Sequence, residues 1–545
     1  MVSVGTQCCD RQSSTGPEMR DVAVNTEEMA GFDDSTAYVP SCSESEGETD
    51  SFKDADFSFH SDENASSTEA SDETDDEELG NEQPSHDTKF VVFWSCLLPL
   101  LQICSTCFTT MTLRKIIRSG VMVKVERICS NSHKTSWYST LRIRGMSLGD
   151  LELSASILYT GSTFTRIQEM ISLCNISFLG RTSYHAIQKQ ILFPTVDDFY
   201  ENARKQLISL VDGPVALAGD GRCDSPGFSA KYGTYTVMDT NTMKILDFSV
   251  VHVGTVSSSN AMEKQGLKNC LQSLENQGMS VASLTTDRHQ QIKAYMKNEK
   301  SNINHQFDIW HVSKNIKKKL VLLAKRKFEW SCATCNKDPY ILREKWLSIL
   351  YHIRNIHRWE DATIYKRCAH AKLSKRDRLE KNWLIEGLPA YVALESVIKD
   401  KFLLRDLRYL TEFSHTGQIE VYHSLYNKYC PKRLHFGFEG MIARSELAVL
   451  DHNAGTECRH AKTRDDEYPH KLSFLKVTQN WVVKKIPEKK DKSYLRELMT
   501  KTLEAREKKK APKSIIPGSV PQYLASKEKP DKAEAVKNKR TRFET

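Results

Sequence analysis

The chain has 545 residues, of which 39% are hydrophobic and 27% charged, a globular mixture with room for about two to four domains. Its net charge of +7 conceals a split: residues 1–87 hold 24 acids and 3 bases, a net of −21, which leaves +28 on the rest. An acidic arm on a basic body argues against a collagen-like, disulfide-framework or polytopic membrane protein and favours a body that meets polyanions.

The Ser-, Asp- and Glu-rich arm, residues 1–87, has too little apolar surface to offset its ordering entropy and is expected to be disordered. Residues 88–145 are expected to form a small module. It opens with the apolar run 90–108, which is short of the roughly twenty residues of a membrane span and is broken by Ser95, Pro99 and Gln102. A buried strand-turn segment is expected there, followed by β-rich alternation over 114–145, and no stable membrane insertion. Residues 146–213 are expected to be helical. Residues 214–312 change to strands with one or two helices, 313–410 to a basic helical insertion, and 411–480 to a further helix and a buried run. The tail 481–545, with 19 bases against 9 acids, is expected to be a disordered basic arm. Fifteen cysteines and no secretory leader point to a reducing compartment, with spaced cysteine pairs as metal ligands.

Carboxylates carry the chemistry. The segment 215–227 (VALAGDGRCDSPG) opens with an apolar strand expected to deliver Asp220 at or near its end, then a turn, followed by strands over 232–239 and 245–253. A helix over 260–277 then leads to a second apolar run, 281–287, ending at Asp287. Neighbouring strands would bring these two acids together, and close carboxylates persist chiefly around a cation. Hard divalent ions such as Mg2+ or Mn2+ take oxygen ligands and support phosphodiester chemistry. Asp308-x-x-His311 follows, leading into a basic helix. In the segment 414–433 a glycine-marked helix start places Glu420 in a first turn, with Leu425 and Tyr429 expected on its apolar side. Glu446 and Glu457 are rival third acids, and Asp224 reads as a turn residue.

Together Asp220, Asp287, Asp308-x-x-His311, a helical insertion and Glu420 resemble the transposases of the Mutator, hAT and Kolobok type. The segments 219–227 and 416–420 are also similar to transposon-derived vertebrate proteins. The resemblance spans about residues 85–480. It implies an RNase H-like mixed α/β sheet interrupted by an α-helical insertion, with a small zinc-binding module before it. It also implies a DDE triad of Asp220, Asp287 and Glu420 holding Mg2+ or Mn2+, with Asp308 and His311 supporting the metal site or touching DNA. The implied activity is cleavage and strand transfer at transposon ends into target DNA, by a nuclear homo-oligomer that synapses two ends. The alternative is a domesticated DNA- or chromatin-binding protein that keeps the fold without transposition; a membrane-anchored protein would rest on 90–108 alone.

Two Cys/His groups suggest zinc. Cys104-x2-Cys107 with Cys129-x3-His133 offers four ligands of the right kind; the competing reading is buried free thiols. Cys332-x2-Cys335 with His352, His357, Cys368 and His370 either ties the insertion through a metal or packs its helices, and the spacing leaves this open. Lys314, Lys317, Lys318 and Lys319 would neutralise phosphates beside the acids or form a solvated face. As implied by the resemblance, Arg142 and Arg144 beside the amino-terminal module would contact DNA phosphates.

Overall fold

The computed structural model describes residues 88–225, 230–319, 322–456, 458–463, 466–475, 480–508 and 530–539. The acidic arm 1–87, Pro226 and Gly227 of the expected turn, Glu457, the side chains of Lys317, Lys318 and Lys319, and most of the basic tail lie outside these residues. The chain divides into two compact units, one built mainly from residues up to Leu192 and the other from Phe193–Leu498. The stretch 146–213, read as one helical segment, is therefore shared between them.

In the first unit, helix α1 (Trp94–Leu101) precedes an antiparallel meander of β1 (Met111–Ser119), β2 (Met122–Cys129) and β3 (Lys134–Tyr138). A two-stranded pair, β4 (Arg142–Ile143) and β5 (Met146–Ser147), leads into α2 (Leu148–Tyr159), α3 (Phe164–Leu173) and α4 (Arg181–Ile187). Ser147 caps α2 by accepting from the Asp150 N–H at 3.3 Å, and Leu151, Ala155 and Leu158 bury one helix face. The segment at 90–108 corrects the expected buried strand-turn. Residues 94–101 are helical and Phe90, Val91, Val92 and Phe93 are exposed, because no strand pairs with them. Pro99 lacks an N–H for the helix, which ends two residues later. Among the described residues, no helix is long and apolar enough to cross a membrane.

The second unit is a mixed α/β body. After α5 (Phe193–Ser209) come β6 (Val215–Cys223), β7 (Tyr232–Asp239), β8 (Ile245–His252), α6 (Ser259–Asn276), β9 (Val281–Thr286), α7 (Gln290–Glu299) and β10 (Asn304–Phe307). The five strands lie in the order β10-β9-β6-β7-β8. β6, β9 and β10 run parallel, while β7 is antiparallel to both neighbours. Every residue of β7 is buried, as befits a β-rich run covered on both faces. Leu217, Val237, Leu246 and Leu284 pack with Leu267 and Leu271 of α6 and Ile292 of α7. A buried ion pair of 2.8 Å, Arg204 to Asp247, ties α5 to β8.

A helical insertion follows: α8 (Ile309–Lys319), α9 (Leu322–Ala333), α10 (Pro339–Leu347), α11 (Ile349–His352), α12 (Lys375–Glu380), α13 (Pro389–Ile398) and α14 (Lys401–Asp406). Its own core, including Phe328, Leu342, Trp346, Tyr391 and Leu403, also takes in Phe307 at the end of β10. The insertion is thus rooted on the sheet. Asp406, 1% exposed, reinforces this root by pairing with Arg288 at 2.7 Å and with Lys293. The chain returns through α15 (Gly417–Tyr429), α16 (Phe438–Asn453) and a hairpin of β11 (His470–Leu475) and β12 (Asn480–Lys485). The partition between the units falls inside α17 (Ser493–Lys508). The Thr502 hydroxyl lies 2.6 Å from that of Tyr159, both in the first unit.

Candidate active site

Strand register aligns the acids. Gly219 of β6 pairs with Thr286 of β9, which pairs with Phe307 of β10. The next residues on these three parallel neighbours are Asp220, Asp287 and Asp308. Adjacent strands lie about 4.8 Å apart, so three carboxylate-bearing residues stand in one row from the β10 edge to the central strand β6. Asp220 lies near the end of its strand rather than at it. β6 runs on to Cys223 because β7 remains paired with it to Cys223–Gly233, whereas its parallel ladder with β9 ends at Gly219. Glu420 enters the same site from the first turn of α15. The buried face of that helix is formed by Ile419, Tyr422, Tyr426 and Tyr429, with Leu425 only half-buried.

Asp308 fixes the entry to α15. Its Oδ1 accepts from the Trp310 N–H at 2.7 Å, and its Oδ2 accepts from the Thr416 N–H at 3.3 Å and from the Thr416 hydroxyl. Burial alone would raise its pKa, but hydrogen bonds from His311, His415 and Thr416 outweigh that and hold it well below the usual carboxylate range.

His311 gathers the acids. Its Nδ1 lies 2.9 Å from Asp287 Oδ1 and 2.9 Å from Asp308 Oδ2, and its Nε2 lies 3.4 Å from Glu420 Oε1. Burial acts to lower the His311 pKa, yet Asp287 and Asp308 bring it up to about 10. A ring nitrogen carries at most one hydrogen, so His311 Nδ1 serves Asp287 and Asp308 between them. Asp287 Oδ1 is buried, and that shared nitrogen lies 2.9 Å from it.

Asp220 is the strained member electrostatically. Its Oδ1 accepts from the Gly221 N–H at 2.8 Å, and its Oδ2 lies 3.5 Å from His423 Nδ1. Burial first, then the charges of Asp287 and Glu263, push it up to about 8. Burial, with Arg222 and Lys432 nearby, brings His423 down to about 3 and keeps it neutral. Burial also raises Glu420, with Asp308 and Asp287 adding to the effect. Two carboxylates raised by burial and by neighbouring charge, beside two further aspartates, could serve as a donor set for a hard cation. A cleft of ≈ 370 Å³ adjoins it, lined by Gly221, Arg222, Glu420, His423, Asn427 and Lys432.

The other acids lie elsewhere. Glu446, 2% exposed, is packed against Asp197 of α5, and burial raises its pKa far above the ordinary value. Asp224 organises a turn: its Oδ1 accepts from the Lys231 N–H at 2.9 Å and its backbone oxygen accepts from the Arg433 N–H at 3.0 Å. Lys314 is exposed, with its ammonium 4.3 Å from the centre of the Trp310 ring.

Sequence reasoning missed Glu263, His289, whose Nε2 lies 3.8 Å from Glu263 Oε2, and His423. Glu420-x-x-His423 repeats the one-turn spacing of Asp308-x-x-His311 and carried a usable signal. Glu263 had none: it comes close because a Cβ on Gly221 would meet its Cγ at 2.7 Å, so only glycine leaves room for α6.

In the first unit, Cys104, Cys107, Cys129 and His133 place their ligand atoms within 4.8 Å of one another. Cys107 Sγ is 3.7 Å from Cys129 Sγ, while His133 Nδ1 is 3.5 Å from Cys129 Sγ and 3.8 Å from Cys104 Sγ. Zinc–sulfur and zinc–nitrogen bonds of about 2.3 and 2.0 Å give tetrahedral edges of roughly 3.5–3.8 Å, so the residues fit zinc. The turns supply hydrogen bonds to sulfur: the Thr109 hydroxyl and N–H draw Cys107 down to about 5, and the N–H groups of Thr106 and Cys107 lower Cys104. Arg142 starts β4, where its guanidinium lies 5.3 Å from the Tyr138 ring centre, and Arg144 lies in the turn between β4 and β5 with φ 47°. Cys129→Ser is expected to remove one zinc per chain by elemental analysis and to speed amide exchange across 104–138 at least about tenfold, since structural zinc contributes directly to folding.

No protein-family model matches the chain, and no curated protein sequence matches it.

Proposed function

We propose that this chain is a DNA-cleaving enzyme of the DDE transposase kind, with an RNase H-like core, acting through Asp220, Asp287 and Glu420. The observation that carries the reading is the carboxylate row on three parallel strands, met by a helix-borne glutamate. The strand order supports it: three antiparallel strands in sequence, then two parallel ones added beyond the first, with the insertion between the last strand and the glutamate helix.

Asp220, Asp287 and Glu420 would hold Mg2+ or Mn2+, which supplies activation of a water or 3′-hydroxyl and stabilisation of the leaving oxygen of a phosphodiester. Asp308 acts from behind by locking Thr416 and hence the first turn of α15. His311 supplies a positive charge among the acids and a mobile proton at Nε2, which faces Glu420. Lys432 on the cleft wall and Lys314 beside it offer charges for phosphates. Lys317, Lys318 and Lys319, which follow Lys314 in the sequence, would add phosphate-binding charge in this reading, and Arg142 and Arg144 would contact DNA phosphates from the amino-terminal module. The partner is DNA, transposon ends and target, handled in the nucleus by a homo-oligomer, because two ends must be synapsed.

The test is incubation of full-length protein with end-labelled duplex DNA carrying terminal inverted repeats, in Mg2+ or Mn2+. Metal-dependent nicks with 3′-hydroxyl ends are expected. DNA binding without cleavage in either metal would overturn the enzyme reading and leave a domesticated DNA- or chromatin-binding protein.

A further inference from the structure

We infer that the helical insertion contains a structural zinc site of its own, made by His352, His357, Cys368 and His370. Their ligand atoms lie within 4.8 Å of one another. Cys368 Sγ is 3.5 Å from His352 Nδ1, the length of a sulfur–nitrogen edge in a zinc tetrahedron. The three imidazole centres are 4.9 to 5.2 Å apart and mutually tilted by 73 to 84°. Such rings are neither stacked nor hydrogen-bonded to one another. They converge edge-on about a common point.

The outer hydrogen bonds argue more strongly than the distances. A zinc-bound histidine presents a lone pair on one nitrogen and donates from the other, usually to an oxygen. His357 Nε2 lies 3.0 Å from the Asn355 side-chain oxygen, and His370 Nδ1 lies 2.7 Å from the Ala371 carbonyl. Each acceptor fixes the proton on that outer nitrogen. The remaining nitrogens, His357 Nδ1 and His370 Nε2, are buried with no hydrogen-bond partner among the described residues. Both are ring atoms that packing alone would leave unsatisfied at a cost. Trp383 covers the group, its ring centre 5.7 Å from that of His357 and 6.1 Å from that of His352.

The backbone is shaped to bring the four together. α11 ends at His352, Asn355 takes a left-handed φ of 63°, and Arg358 pairs antiparallel with Arg367. The Cys368 N–H then donates to the His357 carbonyl at 3.0 Å. The far end of this loop is held by Glu344, whose carboxylate accepts from the N–H groups of Thr363, Ile364 and Tyr365 at 2.6 to 2.9 Å. Zinc at the base and Glu344 at the tip pin a segment that has little regular structure. On binding, the Cys368 thiol proton leaves to solvent and the thiolate becomes the fourth ligand. Cys332 and Cys335 take no part. They are buried in the apolar core of the insertion, where Cys335 Sγ lies against the carbonyl oxygens of Cys332 and Thr411.

The experiment uses the full chain purified in zinc. Elemental analysis is expected to give two zinc ions per chain, falling to one in Cys368→Ser/His370→Ala and to one in Cys129→Ser. The wild-type protein gives a second reading free of folding defects. N-ethylmaleimide should modify Cys368 only after a strong chelator is added, and trypsin should then cut at Arg358 and Arg367 at least tenfold faster. Equal labelling of Cys368 with and without chelator, or an unchanged zinc count in the folded double variant, would overturn the site.

Discussion

Asp287→Asn is expected to abolish metal-dependent DNA cleavage, by roughly 10³- to 10⁴-fold, while the folded structure persists. The size follows from losing an oxygen ligand to ions that contribute several kcal/mol to the transition state, at a factor of ten per 1.36 kcal/mol. Asp287 is half-exposed, so the amide keeps the shape and loses the charge. The metal-free variant should be no more stable than the parent at neutral pH, because it loses the contact between Asp287 and the His311 imidazolium while Asp220, raised to about 8, is already mostly protonated. The His311 pKa should fall from about 10, since one of its two carboxylate partners becomes neutral. Glu446→Gln is the control. Its carboxyl is held protonated by burial beside Asp197, so the amide is nearly isosteric, and cleavage should match the parent. Gel-based cleavage rates, thermal melts without metal and a histidine titration by NMR check the three parts. A Glu446→Gln variant as inactive as Asp287→Asn would transfer the third-acid role away from Glu420.

How much of this was legible depends on whether local pattern or long-range pairing decides. Asp220 and Asp287 were visible because each follows an apolar run, Asp308 by its spacing to His311, and Gly417 announced the helix that carries Glu420. Their alignment in one row required the register Gly219–Thr286–Phe307, and no local pattern contains that. The continuation of β6 past Asp220 depends on β7, a partner whose reach cannot be read from β6 itself. The pair Cys332 and Cys335 has metal-ligand spacing but lies in a hydrophobic core with Phe328 and Trp346. Conversely, His352 and His357 have poor spacing for one helical face. They come together with Cys368 and His370 only because the helix stops and Asn355 reverses the chain. The exposed residues 90–93 carry the same lesson: an apolar run is buried only where something packs against it.

Metal binding is expected to tighten about tenfold or more for each pH unit between about 6 and 8. The sign follows from competition with protons. Asp220, raised to about 8, is protonated through most of that range and must release its proton before its carboxylate can bind a cation. His311, raised to about 10, is an imidazolium in contact with Asp287, Asp308 and Glu420. Divalent ions that enter among these acids repel that charge and favour its neutral form. The dependence should therefore lie between one and two protons per binding event below pH 8. Above it, only the His311 contribution remains. Calorimetric titration of Mg2+ or Mn2+ in two buffers of different ionisation enthalpy measures the protons released at each pH. Asp220→Asn should remove one proton from the count and weaken binding. The same raised pKa has the opposite consequence for the metal-free protein. Its folded state holds a proton on Asp220 that the unfolded chain has already lost above about pH 4. Stability therefore declines as pH rises from about 4 through about 8, and Mg2+ should restore it. Metal affinity that is flat from pH 6 to 9 would mean that the ions do not enter among these carboxylates, and the proposed chemistry would have no site.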